Sequence, residues 1–270
     1  MSPGITQLLQ ITRFSASFLA LGAALSCLGW LALRLEAVPL VQVRPWEIES
    51  APLVIVDAGH GGVDGGAVAG GLIEKNLSLT LARKLCEHLQ KLGLRVKMTR
   101  DSDIFIELEE RSRIAAELKA ALFVSLHLNT SDTAAVSGIE TYYAAQKSLA
   151  AKRASEVSSS GKNSNEWLAR HLQRHVCLET KAEDRGIKAK NYAVVTHTPC
   201  PAALIECGFL TNAEEVTRLK QPAYQDKLTA GIANGVAEFL KTQLLVKSVP
   251  PSLMTHPENE SEVKIETQQP

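Results

Sequence analysis

The chain has 270 residues, 45% of them hydrophobic, which suits one globular domain with tails and excludes a fibrous or wholly disordered protein. Lys plus Arg and Asp plus Glu balance at 29 each. No broad basic field of the kind that neutralises phosphates is present, so nucleic acid is excluded as the expected partner.

Residues Phe14 to Leu33 carry no charged side chain. A helix of that length, rising about 1.5 Å per residue, spans about the hydrocarbon thickness of a bilayer. Arg13 and Arg34 bracket the run, and Trp30 stands near its far end where an amphipathic ring suits the interface. The expectation is a membrane anchor within residues 1–36 and a tether over 37–52. The rival is a cleaved signal peptide with Gly22, Ala23 and Ala24 as the processing site. A lipid-carrying Cys27 fits less well, because Ala24 occupies a place where a lipoprotein signal prefers a larger aliphatic residue. Each alternative carries the rest of the chain across a membrane, to a periplasmic or extracytoplasmic location. Cys27, Cys86, Cys177, Cys200 and Cys207 show no paired short spacing of a zinc knuckle and are too few for a disulfide scaffold. Cys86 and Cys207 are expected as buried thiols, and a single bridge involving Cys177 is compatible with an oxidising compartment.

The folded domain is expected over 53–244. Leu53-Val54-Ile55-Val56 reads as a strand buried on both faces. From Asn76 to Leu92 a helical stripe of Leu77, Leu81, Leu85 and Leu89 follows, ended by Gly93. A strand is expected over Leu94 to Met98, a helix over Glu107 to Lys119, and strands over Ala121 to Leu126 and Gly138 to Tyr143. Ala145 to Asn165 is polar and Ser-rich and predicts a surface loop. A helix over Glu166 to Glu179, strands at Val194-Val195 and Ala202 to Ile205, and helices over Glu214 to Leu219 and Tyr224 to Leu244 complete the domain. This alternation points to a layered α/β architecture. Residues 245–270 have almost nothing apolar to bury, which predicts a disordered tail.

In Val56-Asp57-Ala58-Gly59-His60-Gly61-Gly62, a histidine leaves the carboxyl end of a buried strand in a glycine-rich turn, the edge where open α/β sheets place their sites. The glycines do not form a phosphate cradle, since neither a Lys-Ser/Thr pair nor the dinucleotide fingerprint accompanies them. A second histidine, in Phe123-Val124-Ser125-Leu126-His127-Leu128-Asn129, ends another buried strand. Two such histidines can converge on zinc, and a hydrolytic zinc takes three protein ligands and leaves one position open. Glu74, at the start of the helix after the glycine loop, is the best third ligand, with the loop carboxylate Asp64 competing. A helix-start acid can also be only a dipole-stabilising cap. Glu206 directly follows the apolar strand Ala203-Leu204-Ile205, a costly place for a charge without a partner. With the ligand set complete, Glu206 suits the role of general base. Asp57 or Asn129 could orient a ligand. His171 and His175 lie four apart on a helix, a spacing that can bind zinc, but Leu172-Gln173 stands where a metalloprotease helix needs its Glu. They are read as surface residues. His88, His197 and His256 have no companion pattern.

The stretches around His60, Glu74, His127 and Glu206 resemble those of the zinc-dependent N-acetylmuramoyl-L-alanine amidases of the type-three amidase family. The resemblance runs from Leu53 to Leu240. It also takes in Thr99-Arg100-Asp101, Leu108-Glu109-Glu110-Arg111, Gly138-Ile139-Glu140-Thr141-Tyr142-Tyr143 and Arg185-Gly186-Ile187-Lys188. It implies zinc on His60, Glu74 and His127, Glu206 as the catalytic carboxylate, and a twisted, mostly parallel sheet flanked by helices. The implied substrate is peptidoglycan, cut between the lactyl group of N-acetylmuramic acid and the L-alanine of the stem peptide. Ala116 and Leu128 depart from the Asn and Ala usual in the family and are expected to touch no ligand. The rivals are a zinc peptidase cutting within the stem peptide and an inactive, anchored wall-binding module. Division-associated members carry a long helical plug over the site. Here the span between Tyr143 and Glu166 is short and polar, so no activator protein is expected to be required.

Overall fold

In a computed structural model, the described residues are 51–146 and 164–248, with side chains described to residue 243. The expected anchor, tether and tail lie outside them, apart from the few residues at their inner edges, as does most of the expected loop at 145–165. No helix among the described residues is long and apolar enough to cross a membrane.

The elements, in order, are β1 (Leu53–Ala58), β2 (Val68–Ala69), β3 (Leu72–Ile73), α1 (Glu74–Lys91), β4 (Arg95–Met98), α2 (Leu108–Glu117), β5 (Leu122–Asn129) and β6 (Ile139–Tyr143). There follow α3 (Ser164–Thr180), β7 (Asp184–Ala189), α4 (Ala193–Thr196), β8 (Ala202–Phe209), α5 (Ala213–Leu219) and α6 (Pro222–Ser248). The main sheet has the order β4-β1-β5-β8-β6-β7, and β2 pairs β3 in a small separate hairpin. The β1–β4, β1–β5 and β5–β8 pairs are parallel. β6 runs antiparallel to β8 and parallel to β7. The sheet is therefore mixed and mostly parallel.

Strand periodicity divides the core into two layers. Val54, Val56, Leu122, Val124, Leu126, Ala203 and Ile205 face the side covered by α1, α3 and α6. Ile55, Phe123, Ala202 and Leu204 face the side covered by α2 and α4. Helix α1 buries the expected stripe of Leu77, Leu81, Leu85 and Leu89, and α6 buries Leu228, Ile232, Val236 and Phe239. Gly93, at φ +78°, ends α1 in the left-handed conformation that glycine adopts without a side-chain clash.

Three sequence expectations are corrected, and one strand without an expected counterpart is added. Val194-Val195 is not a strand: it forms the single turn α4, with Thr196 N–H donating to Tyr192 O and His197 N–H to Ala193 O. Burial of both valines against the sheet outweighs their strand propensity. Asp184 to Ala189 is an edge strand, hidden in the sequence because its half-exposed Asp-Arg-Gly-Ile-Lys-Ala run has no apolar alternation. Asn165 belongs to α3, not to a loop, and its side chain ties Ala144 O to the Ala202 N–H. His171 is buried. Among the described cysteines no disulfide forms, and Cys86 and Cys207 are buried as expected.

Candidate active site

Because β1, β5 and β8 are parallel neighbours, their carboxyl ends share one sheet edge. His60 follows β1 by two residues, His127 lies near the end of β5, and the β5–β8 register sets His127 beside Glu206. Glu74 opens α1 directly after β3. The donor atoms of His60, Glu74 and His127 converge within 4.8 Å of one another. Glu74 Oε1 lies 3.1 Å from His60 Nε2 and 2.9 Å from His127 Nδ1, and it also accepts the Leu128 N–H at 3.0 Å, so Leu128, against expectation, touches a candidate ligand through its backbone. Glu74 Oε2 accepts the Ala67 N–H at 2.8 Å.

The glycines of the loop exist because side chains pack on bare backbone. A Cβ on Gly59 would lie 2.4 Å from the His127 ring, and one on Gly66 would lie 2.6 Å from both Glu74 Oε2 and His60 Cδ2. His60 itself sits at φ +60°, a strained conformation for a non-glycine residue that persists only where surroundings enforce it.

Two buried arginines enforce it. Arg111 donates to Asp57 Oδ1 at 2.8 Å and to the carbonyls of Ala58 at 2.7 Å and His60 at 2.8 Å. Arg100 donates to Ala58 O at 3.0 Å, Gly59 O at 2.8 Å and Lys75 O at 2.9 Å. Asp57 accepts from Thr99 and Ser125 as well. It therefore anchors the arginine frame and orients no ligand directly. Asp64 is not part of the convergent set. Its Oδ2 holds His60 Nδ1 at 2.7 Å, leaving Nε2 turned to Glu74. Asn129 donates to Glu140, not to a histidine.

Two carboxylates beside the cluster have opposite environments. Glu140, cross-strand from Glu206, is buried yet receives Asn129, Tyr142, Arg185 and Lys188. Burial raises its pKa, but Lys188, Tyr142 and Arg185 outweigh that and hold it below the usual range. Glu206 has no such partners: its Oε2 is buried without a hydrogen bond among the described residues. Burial, aided by the charges of Glu74 and Glu140 and opposed by the histidines, pushes it up to about 7. Glu74 is the reverse case, since hydrogen bonds from His127 and His60 overcome its burial and hold its pKa far below normal. Carboxyl groups whose environments drive their pKa values apart mark acid–base chemistry.

The profile of the N-acetylmuramoyl-L-alanine amidases matches residues 54–238. The chain belongs to this family. The amidase LytC of Bacillus subtilis is 32% identical over 188 residues, covering 70% of this chain and 35% of LytC, so the match spans about a third of that relative. The crystal structure of N-acetylmuramoyl-L-alanine amidase from Clostridium difficile 630 superposes with a TM-score of 0.64 at 34% identity, over 72% of this chain and 98% of the other. The CwlD amidase from Clostridioides difficile, solved in complex with the GerS lipoprotein, superposes with a TM-score of 0.62 at 27% identity, over 71% and 99%. This amidase is thus a hydrolase of a family that acts on cell-wall peptidoglycan.

Proposed function

We propose that the chain cleaves the amide between the lactyl group of N-acetylmuramic acid and L-alanine, using zinc held by His60, Glu74 and His127 with Glu206 as general base. The observation that carries this reading is the convergence of three donors next to a buried, unpartnered carboxylate oxygen. Two imidazoles and a carboxylate are a ligand set of hydrolytic zinc, and their separations leave room for one ion. Zinc there supplies Lewis acidity, polarising the scissile carbonyl and making water a stronger acid.

The chain's own residues supply the rest. Asp64 fixes the His60 ring, and the Leu128 and Ala67 amides fix the Glu74 carboxylate, so the donors are set before a ligand arrives. Glu206 takes the proton of the attacking water and delivers it to the departing amine of L-alanine. Its raised pKa suits a group that must hold and release a proton near neutrality. Glu140, held charged by its cations, cannot exchange that proton as readily.

The apolar run at 14–33 supports an anchor that keeps the domain at the outer face of the membrane, with 37–52 as tether, 53–244 as catalytic domain whose last helix runs on to Ser248, and the remainder to 270 as tail. The span after β6 is short and polar, which supports activity without an activator, although a related amidase is known in complex with a lipoprotein. The test is digestion of purified peptidoglycan by the full chain, with and without a chelator, and mass analysis of the products. Stem peptides with a free L-alanine amine, lost on chelation, are expected. New termini within the stem would establish the peptidase instead, and intact wall the binding module.

A further inference from the structure

A second group of metal-ligating side chains lies on the seam between α3 and α6 and shares no residue with the active site. His171 and His175, four apart on α3, present their rings on one face, and Glu238 of α6 reaches both. His175 Nε2 contacts Glu238 Oε2, and His171 Nδ1 lies 3.5 Å from the same oxygen. The three donor atoms fall within 4.8 Å of one another.

The helix packing builds this arrangement. Gly231 and Gly235 of α6 lie directly on α3, where a Cβ would come 2.8 Å from Val176 Cα and 2.8 Å from His171 O. The two glycines bring the helix axes together, and Glu238, less than one turn on, is delivered over the histidine pair. Trp167 and Phe239 enclose the His171 ring, with centroids 5.1 and 6.2 Å away. Its Nε2 is buried without a hydrogen bond among the described residues, so Nδ1 is the ring's polar outlet. Arg174 engages the other oxygen of Glu238, Oε1, at 3.8 Å, which leaves Oε2 to the histidines. His175 and Glu238 stay partly open to solvent, giving an ion a route in and a water to complete its shell.

We propose that His171, His175 and Glu238 form a second binding site for a divalent transition ion of the zinc class, which clips α3 to α6. Two imidazoles and one carboxylate select such an ion over calcium or magnesium, which prefer all-oxygen shells. The site does not depend on the catalytic role of the first cluster.

The test uses the full chain, stripped with a chelator and titrated with Zn2+. His175→Gln and Glu238→Gln, at partly exposed positions, should each bind one equivalent fewer than the parent and still hydrolyse peptidoglycan. In the His127→Ala variant, which disables the first cluster, Zn2+ at a hundredfold excess over Kd should still raise Tm by roughly 5–10 °C. Adding His175→Gln to that variant should abolish the rise. Equal zinc content in the parent and His175→Gln, or an unmoved Tm in His127→Ala, overturns the site and leaves only a hydrogen-bonded cluster.

Discussion

Arg111→Met isolates the frame beneath the His60 loop. Arg111 and Asp57 are 3% and 1% exposed, so removing the guanidinium strands a buried carboxylate, a change that destabilises by about 3–5 kcal/mol. With a urea m-value of about 2–3 kcal/mol/M for a domain of this size, the midpoint should fall by roughly 1–2.5 M. The pH dependence makes the test specific. In the parent, burial pushes the Asp57 pKa up, but Arg111, Ser125 and Thr99 outweigh it and hold it below normal. A depressed folded-state pKa contributes stability that is present above the unfolded value of about 4 and is lost as pH falls through the folded value. Without Arg111 burial dominates, the folded pKa rises above the unfolded one, and ionised Asp57 opposes folding until it is protonated. The gap between parent and variant should therefore be widest at pH 7 and narrow towards pH 4. Asp57→Asn added to Arg111→Met should recover part of the loss. Denaturation followed by circular dichroism at both pH values measures this. A gap below about 1 kcal/mol at pH 7, or one that widens on acidification, would refute the reasoning.

Gly66→Ala should abolish zinc binding at the first cluster and most turnover, because its Cβ would strike Glu74 and His60. Gly186→Ala, also at positive φ but with open space around it, should lose only about 1–2 kcal/mol of stability and keep turnover; equal turnover in the two variants contradicts the packing argument. Glu206 must be unprotonated to act as base, so turnover should fall as pH drops through its pKa, about 7 without a cation and lower with one. An acid limb centred well above pH 7 in the loaded enzyme would exclude it. Replacing residues 147–163, which leaves Asn165 and its ties to Ala144 and Ala202 in place, with a short Gly-Ser linker should leave the rate of peptidoglycan digestion unchanged, and a large gain would reveal an inhibitory span.

His60, Glu74, His127 and Glu206 are legible in the sequence because each follows a buried strand or opens a helix beside glycines, so one-dimensional context already signals a polar group held at a sheet edge. Arg100, Arg111 and Asp64 are not legible in their roles. Arg111 reaches residues more than fifty positions away through side-chain contacts, and Asp64 differs from a ligand only in which oxygen meets which ring nitrogen. The edge strand β7 escapes because a half-exposed strand has no core face to impose alternation. His171 escapes because spacing identifies a helix face without saying what covers it. Gly231 and Gly235, four apart on one face of α6, were the available signal, since they mark where a second helix can approach.

The central claim, that His127 holds the catalytic ion while Glu206 only moves a proton, is tested most directly by measuring zinc per chain and turnover on purified peptidoglycan for Glu206→Gln and His127→Ala beside the parent. Glu206→Gln should keep the parent's zinc content and lose about 10²–10⁴-fold in turnover, whereas His127→Ala should lose one equivalent of zinc and the activity together. A Glu206→Gln variant as active as the parent, or a His127→Ala variant with undiminished zinc, would contradict it.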